Sequence, residues 1–546
     1  MRHSLLTDPI FRVRDGSGRR EMLSLPEVMA ALARGEVAEF EALRPHQVPA
    51  WHMFLCQLAA LALHRAGMTD LPEEAGEWRR LIRGLTPEFP DDEPWHLVVE
   101  DGGRPAFMQP PEPEGGVKYT DAAPTPDALD MLITSRNHDL KQAVAHRAGL
   151  DEWIYALVSL QTGEGYNGAG RYGIARMNGG SSSRPCLSLV PLDDPRRQVC
   201  TPSDRFRWDT AKLVRDRARL LERVADLNYP SEHGLALLWT VPWPEGEQLQ
   251  ISELDIWFIE ICRRVRLSTS ADGSLIARTG TSKKARVAAD MLNGVTGDAW
   301  TPVNRKEGKA LTLGEGDFDY RRVCALLFGD EWELPPMLQL HGDERDRSDD
   351  WLLIMQAIAR GNSKTYGYRE RTLPLGGRVA AALGFGKKRV SLGRLAEEQI
   401  KDVAQFRKAL GAAIALYIEA GEQRNISRET YRHADSFQHR LERHADRLFF
   451  PALWARFEAV EREDREADDA ARLDFLAALF AAARSLLDEA LGGLPCPAMF
   501  RHRARVRAEA RFHGMIHSAF PALRERLSYR LDHLGDMNEE AAHDAA

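Results

Sequence analysis

Val158-Ser159-Leu160-Gln161-Thr162-Gly163-Glu164-Gly165-Tyr166-Asn167-Gly168 is an apolar run ending in Gly-x-Gly-x-x-Gly, the spelling of a dinucleotide-binding turn. If that reading held, the fold would be a doubly wound α/β domain, because such a turn opens directly into a helix whose N-terminus carries the pyrophosphate. The continuation argues against it. Ala169-Gly170-Arg171-Tyr172-Gly173 leads on to Asn178-Gly179-Gly180, and each glycine inside a helix costs about 1 kcal/mol relative to alanine. The stretch instead reads as a glycine-rich loop from Gly163 to Gly180 carrying Arg171, Arg176 and Asn178. Without Cβ atoms its backbone can approach a ligand surface closely. A groove of DNA is one such surface, with amides and arginines serving phosphates or base edges. A structural loop capping a sheet is the other reading of the same residues, and a nucleotide-cofactor enzyme using Gly163–Gly168, or a structural scaffold without DNA contact, stays as an alternative.

Working outward, the chain has two halves of different character. Up to about residue 390, proline and glycine punctuate short helical stretches (Leu25–Arg34, His46–Ala66, Glu77–Gly84) and strand-like runs, Trp95–Val99 and Cys186–Val190. That mixture predicts an α+β domain with long loops over residues 1–390. From 391 to 546 the periodicity is helical in four segments, about 392–420, 428–462, 468–491 and 498–534, with Gly421, Gly492-Gly493, Pro495 and Pro497 between them. Leu473, Leu476, Phe480, Ala483 and Leu487 recur at three- and four-residue spacing and place one stripe inward. Four such helices with short connections predict a C-terminal four-helix bundle.

The whole chain, 546 residues, has 44% hydrophobic and 28% charged residues, which fits a globular protein of two to four domains. The six cysteines include no Cys-x-x-Cys pair, so neither a disulfide framework nor a zinc ribbon is expected, and a reducing, cytoplasmic setting follows. The opening residues lack the apolar stretch of a signal peptide. Met53–Leu63, the longest apolar segment, is interrupted by Gln57 and falls short of a membrane span.

The formal net charge of −8 argues, taken whole, against a nucleic-acid binder. Its distribution argues otherwise. Thr69–Asp101 holds ten acidic residues against three arginines. Ile261–Ala289 holds Arg263, Arg264, Arg266, Arg278, Lys283, Lys284 and Arg286 against Asp272 alone, and 360–389 holds eight cations against Glu370 alone. These two runs are where a polyanion would bind, or they are solvated surface.

Enzymatic signatures are missing. Ser181-Ser182-Ser183 lies in no Gly-x-Ser-x-Gly elbow, and there is no Walker sequence. Glu509, His513 and His517 share a helix face but lack the His-Glu-x-x-His arrangement, and His433, His439 and His444 share none. No catalytic residue, cofactor or metal is predicted.

Leu5-Leu6-Thr7-Asp8-Pro9-Ile10-Phe11-Arg12-Val13, then Leu23-Ser24-Leu25-Pro26-Glu27-Val28, and Pro105-Ala106-Phe107-Met108-Gln109 together resemble the CasA family. CasA is the large subunit of Cascade, the type I-E CRISPR surveillance complex, and the resemblance covers essentially the whole chain. It implies a non-catalytic subunit. Such a subunit recognises the protospacer-adjacent motif (PAM) of double-stranded DNA through the minor groove and starts unwinding for guide-RNA pairing. It also gives a docking surface to a helicase–nuclease recruited in trans, so that protein reads the PAM and base pairing reads the rest.

Carried onto this sequence, the resemblance implies a DNA-facing glycine loop at Gly165, Tyr166, Asn167, Gly168, Ala169 and Gly170. A lysine finger falls on Lys283 or Lys284. A strand-separating wedge falls on Asn362, Ser363 and Lys364, with lysine where family members can carry glutamine. Contact with the guide's 5′ end and a backbone subunit falls on Arg136, Asn137 and His138, and DNA-backbone contacts on Arg501 and Arg505. Implied partners are the backbone, small and guide-processing subunits of Cascade, the guide RNA, target DNA and the helicase–nuclease; no membrane is implied.

Overall fold

In a computed structural model the residues described are 3–129, 148–177, 179–192, 199–361, 364–383, 386–423 and 426–527. By internal contacts the chain divides into two units, one of Met1–Phe318 with Gly329–Gly384, the other of Asp319–Phe328 with Phe385–Ala546.

The first unit is α+β. Its opening strand, Phe11–Arg14, pairs antiparallel with Arg20–Leu23 and Glu39–Phe40. The helix Leu25–Arg34 starts where the sequence says it should: Glu27 reaches back to the amide and hydroxyl of Ser24, at 2.7 Å each, with Pro26 in the first turn. Val48–Arg65 is apolar all round and is buried over nearly its whole length, as a central helix must be. It packs against Leu150–Gly163 and Pro202–Arg223.

Buried glutamines stitch this core by serving backbone groups that no ladder satisfies. Gln57 donates to the carbonyls of Trp257 (3.1 Å) and Phe258 (2.9 Å). Gln109, fully buried, donates to the carbonyls of Leu97 and Phe107 and accepts from the Leu267 amide. The expected strand Trp95–Val99 is not formed. Glu93–Trp95 is a 3-10 turn entered through Pro94, and Leu97 instead donates to the His3 carbonyl and accepts from the Gln109 side chain.

Two sheets carry the segments expected to face DNA. Leu275–Gly280 lies between Arg264–Thr269 and Tyr119–Ala123, and runs straight into residues 281–284. The long hairpin Asp350–Gly361 and Lys364–Gly376 is antiparallel, with a register shift at Ala359/Arg360, and adds Cys186–Pro191 along its other edge.

The second unit is helical: Gly386–Ile418, Arg428–Arg432, Asp435–Glu461, Arg465–Gly493 and Arg501–Ala519. Gly386–Ile418 packs on the other three long helices. Leu476, Phe480, Ala483 and Leu487 are buried, as their spacing predicts.

Candidate nucleic-acid interface

The glycine-rich loop leaves the C-terminal end of the helix Leu150–Gly163, where the carbonyls lie. That end of a helix repels a phosphate, so the dinucleotide reading fails on geometry as well as sequence. The loop folds back on itself: the Gly165 amide donates to Ser182, Tyr166 to Gly180, Asn167 to Arg171, and Arg171 to Gly168, all between 2.9 and 3.0 Å.

Its glycines do different jobs. Gly165 is buried rather than on the binding surface, and a Cβ there would lie 2.5 Å from the Gly180 carbonyl oxygen, so its role is close packing. Tyr166, Asn167, Gly168 and Ala169 are exposed. Gly170, at φ +77°, accepts at its carbonyl from the Ser282 amide at 3.0 Å, and a Cβ would lie 2.6 Å from that of Thr281. The loop is thereby seated against the segment that carries Lys283 and Lys284. The Tyr172 hydroxyl donates a further 2.8 Å bond to the Lys283 carbonyl.

Glu164, 3% exposed, organises the region. One carboxylate oxygen pairs with Arg263 at 3.0 Å and the other with Arg360 at 2.8 Å, and both arginines are buried. Arg263 also donates to the carbonyls of Gly165, at 2.8 Å, and Tyr172. Arg263 immediately precedes the strand pair that leads to the lysines, and Arg360 stands one residue before the end of the first hairpin strand. A single buried carboxylate therefore ties together the glycine loop, the approach to Lys283 and Lys284, and the end of the hairpin. Charge neutralisation inside a dry site makes such a junction stiff. Ser183 fastens it further, its hydroxyl accepting from the Ile358 amide and donating to the Ile358 carbonyl.

The basic run 261–289 is mostly internal. Arg263 serves Glu164; Arg264 stacks on Trp243 with its guanidinium carbon 4.9 Å from the ring centroid; Arg266 binds the carbonyls of Val99, Asp101 and Arg104. Arg286 binds those of Leu238, Val241 and Pro242, and burial pushes its pKa down to about 10. Arg278, Lys283 and Lys284 are the exposed cations of the run. Arg176, expected to serve phosphates, is also internal: it lies over Phe258 and binds the carbonyls of Ile256 and Phe258. Arg171 pairs with Asp121 at the surface.

On the hairpin, Gly361 is opposite Lys364, which opens the second strand. Asn362, Ser363, Arg136, Asn137, His138 and Asn178 lie outside the described residues. In the second unit, Arg501 is exposed, whereas Arg505 is held by Glu509 at 2.9 Å and Asp488 at 3.6 Å. Arg503 and Arg507 bind the carbonyls of Ala420 and Gly421, just past the end of Gly386–Ile418. His513 and His517 sit ring to ring, 5.6 Å apart, and burial lowers both pKa values. Among the described residues no group of three His, Cys, Asp or Glu side chains is placed to hold a metal ion, and no helix is long and apolar enough to cross a membrane.

Sequence reasoning missed Glu164 and read Arg360 only as one cation of the second basic run, where the structure pairs it with that buried carboxylate. The only local signal was an acidic residue set between two glycines, in a chain whose cations cluster elsewhere.

No curated protein matches the chain. Solved structures do. Thermus thermophilus CasA (Cse1) is 16% identical with a TM-score of 0.58, over 95% of this chain and 99% of that one. The Cse1 structures from Acidimicrobium ferrooxidans and Thermobifida fusca are each 16% identical with TM-scores of 0.59, over 95% of this chain and 98% of theirs. The family model for CRISPR-associated protein Cse1 matches residues 4–486. The chain belongs to the Cse1 (CasA) family, the large subunit of type I-E Cascade.

Proposed function

We propose that this chain, as a non-catalytic subunit, reads the PAM in double-stranded DNA, begins opening the duplex for guide pairing, and offers the docking surface for a helicase–nuclease acting in trans. The observation that supports this is the Glu164 junction. One buried carboxylate joins Arg263, which holds the backbone of the loop bearing exposed Tyr166–Ala169, to Arg360 near the end of the hairpin strand at Gly361, and that loop is bonded in turn to the segment of the exposed Lys283 and Lys284. Each has the chemistry its role needs: a backbone free to approach a groove, cations for phosphate, and strand ends at Gly361 and Lys364 braced by a two-stranded ladder. Asn362, Ser363 and Lys364 form the wedge on this reading.

DNA reading and guide-end contact, the latter through Arg136, Asn137 and His138, are assigned to residues 1–390. The bundle 391–546 follows a DNA strand through Arg501 and Arg505 and meets the small subunits. Binding of the assembled complex to targets with correct and scrambled PAMs, with and without this chain, tests the reading. Discrimination is expected to vanish without the chain; unchanged discrimination would contradict it.

A further inference from the structure

Within the first unit lies a cavity of about 530 Å³, unrelated to the Glu164 junction. It is a slot between one face of the long hairpin and the helices Val48–Arg65 and Pro202–Arg223. Ile354, Gln356, Tyr368, Glu370 and Thr372 come from the hairpin face, where Ile354 is opposite Thr372 and Gln356 opposite Glu370. Phe40, Trp51, Leu55, Phe206 and Leu352 make most of the rest apolar, and Val199, 72% exposed, forms an apolar rim. The size and lining are those of pockets that take small organic molecules.

The polar groups on the wall narrow the chemistry. Arg205 is occupied: it binds Ser188 Oγ at 3.1 Å, Gln356 Oε1 at 2.7 Å and Cys186 Sγ at 3.0 Å, and stands 4.0 Å from Asp209. Asp209 in turn faces His52 Nε2 at 2.7 Å and Trp300 Nε1 at 3.0 Å. Burial keeps His52 neutral, with its pKa lowered to about 4, and raises that of Cys56. The deep end is therefore self-neutralised. Among the described residues it offers no unpaired charge to a charged ligand, and Glu39 and Glu370 on the lining disfavour an anion.

Among the described residues the buried Trp51 Nε1 on the lining lacks a hydrogen-bond partner, and the Tyr368 hydroxyl has the neighbouring Glu370 carboxylate as its one acceptor. Burial, then the Glu370 charge and the hydrogen bond to it, raise the Tyr368 pKa, so its hydroxyl keeps its proton and can turn it to a ligand acceptor in place of Glu370. Buried donors of this kind ordinarily find an acceptor, and leaving one without is costly.

We propose that this slot is a binding site for a small uncharged molecule with an apolar or aromatic body and one hydrogen-bond acceptor, a carbonyl oxygen or ring nitrogen, that meets Trp51 or Tyr368. The test uses the full chain without DNA, so its outcome is separate from the PAM-reading proposal. Acetophenone, toluene and benzoate are titrated while tryptophan fluorescence and saturation-transfer NMR are recorded.

Acetophenone is expected to saturate in roughly the millimolar range, as suits so few atoms. Tyr368→Phe should weaken it about fivefold and leave toluene unchanged, the size of one lost hydrogen bond. Thr372→Trp, at an exposed strand position, should fill the slot and abolish binding of both, and benzoate should bind at least about tenfold more weakly than acetophenone. No saturable acetophenone binding, acetophenone binding indifferent to both substitutions, or benzoate binding as tightly as acetophenone would overturn the proposal.

Discussion

Glu164 carries two guanidiniums in a site with almost no access to water, and the consequence of removing it is larger than for any surface charge nearby. Glu164→Gln keeps the shape but leaves Arg263 and Arg360 buried without a counter-charge. Chemical denaturation should show a loss of about 3 kcal/mol. Lys283→Ala and Lys284→Ala, both exposed, should stay within about 0.5 kcal/mol of the parent chain. His52 gives a second check. Its folded pKa of about 4 lies below the ordinary 6.5, so between those values the unfolded chain binds a proton that the folded chain does not. Its contribution is complete above pH 6.5 and is lost as pH falls toward 4, with a limiting slope of about 1.4 kcal/mol per pH unit. Urea unfolding across pH 4 to 7 should show that fall, and His52→Gln should flatten it. Residue identity alone does not reveal either site. Arg263, Arg264, Arg266 and Arg286 look from the sequence like four more surface cations, because a charge count contains nothing about burial.

At the scale of elements, the two glycines that differ most in surroundings make opposite predictions. A Cβ on Gly168, at φ +98°, meets nothing within 4 Å, so Gly168→Ala costs only the strain of an unfavourable backbone region, roughly 1 kcal/mol. Gly170→Ala adds a clash with Thr281 and must move the lysine segment. Thermal unfolding should separate them, and PAM discrimination by the assembled complex should fall for Gly170→Ala far more than for Gly168→Ala. For the hairpin, Lys364→Ala should reduce duplex opening more than initial DNA binding, measured by opening kinetics against equilibrium affinity; equal loss in both would count against a wedge. Elements with local causes were legible: the Ser24–Glu27 capping box, the buried Cys186–Pro191 strand, and the inward stripe at Leu476, Phe480, Ala483 and Leu487. Trp95–Val99 was not, because its backbone groups are satisfied by Gln109 and by single bonds from distant segments, which no window of sequence contains.

For the whole molecule, the net charge of −8 is an average over a segregated chain, and it says less about partners than its size suggests. The basic runs are real as sequence, yet much of the first neutralises interior carboxylates and carbonyls, which leaves Arg278, Lys283 and Lys284 as its exposed cations. With a net charge of −8 and so few exposed cations in that run, the free chain should bind DNA weakly and gain tight binding only in assembly, with a shallow salt dependence that filter binding at several salt concentrations would record. The two-part architecture and the family were legible in the sequence because periodicity and motif order are local. The meeting of residues 164, 263 and 360 was not, since it depends on tertiary contacts across nearly two hundred residues. If that junction holds the lysines against the duplex that the wedge opens, base opening tests the whole surface most directly. With 2-aminopurine at the first base pair beside a correct PAM, the assembled complex should give a fluorescence rise. The Lys283→Ala/Lys284→Ala double variant should lose that rise at unchanged fold stability. A rise equal to that of the parent complex would contradict a DNA-opening role for this surface.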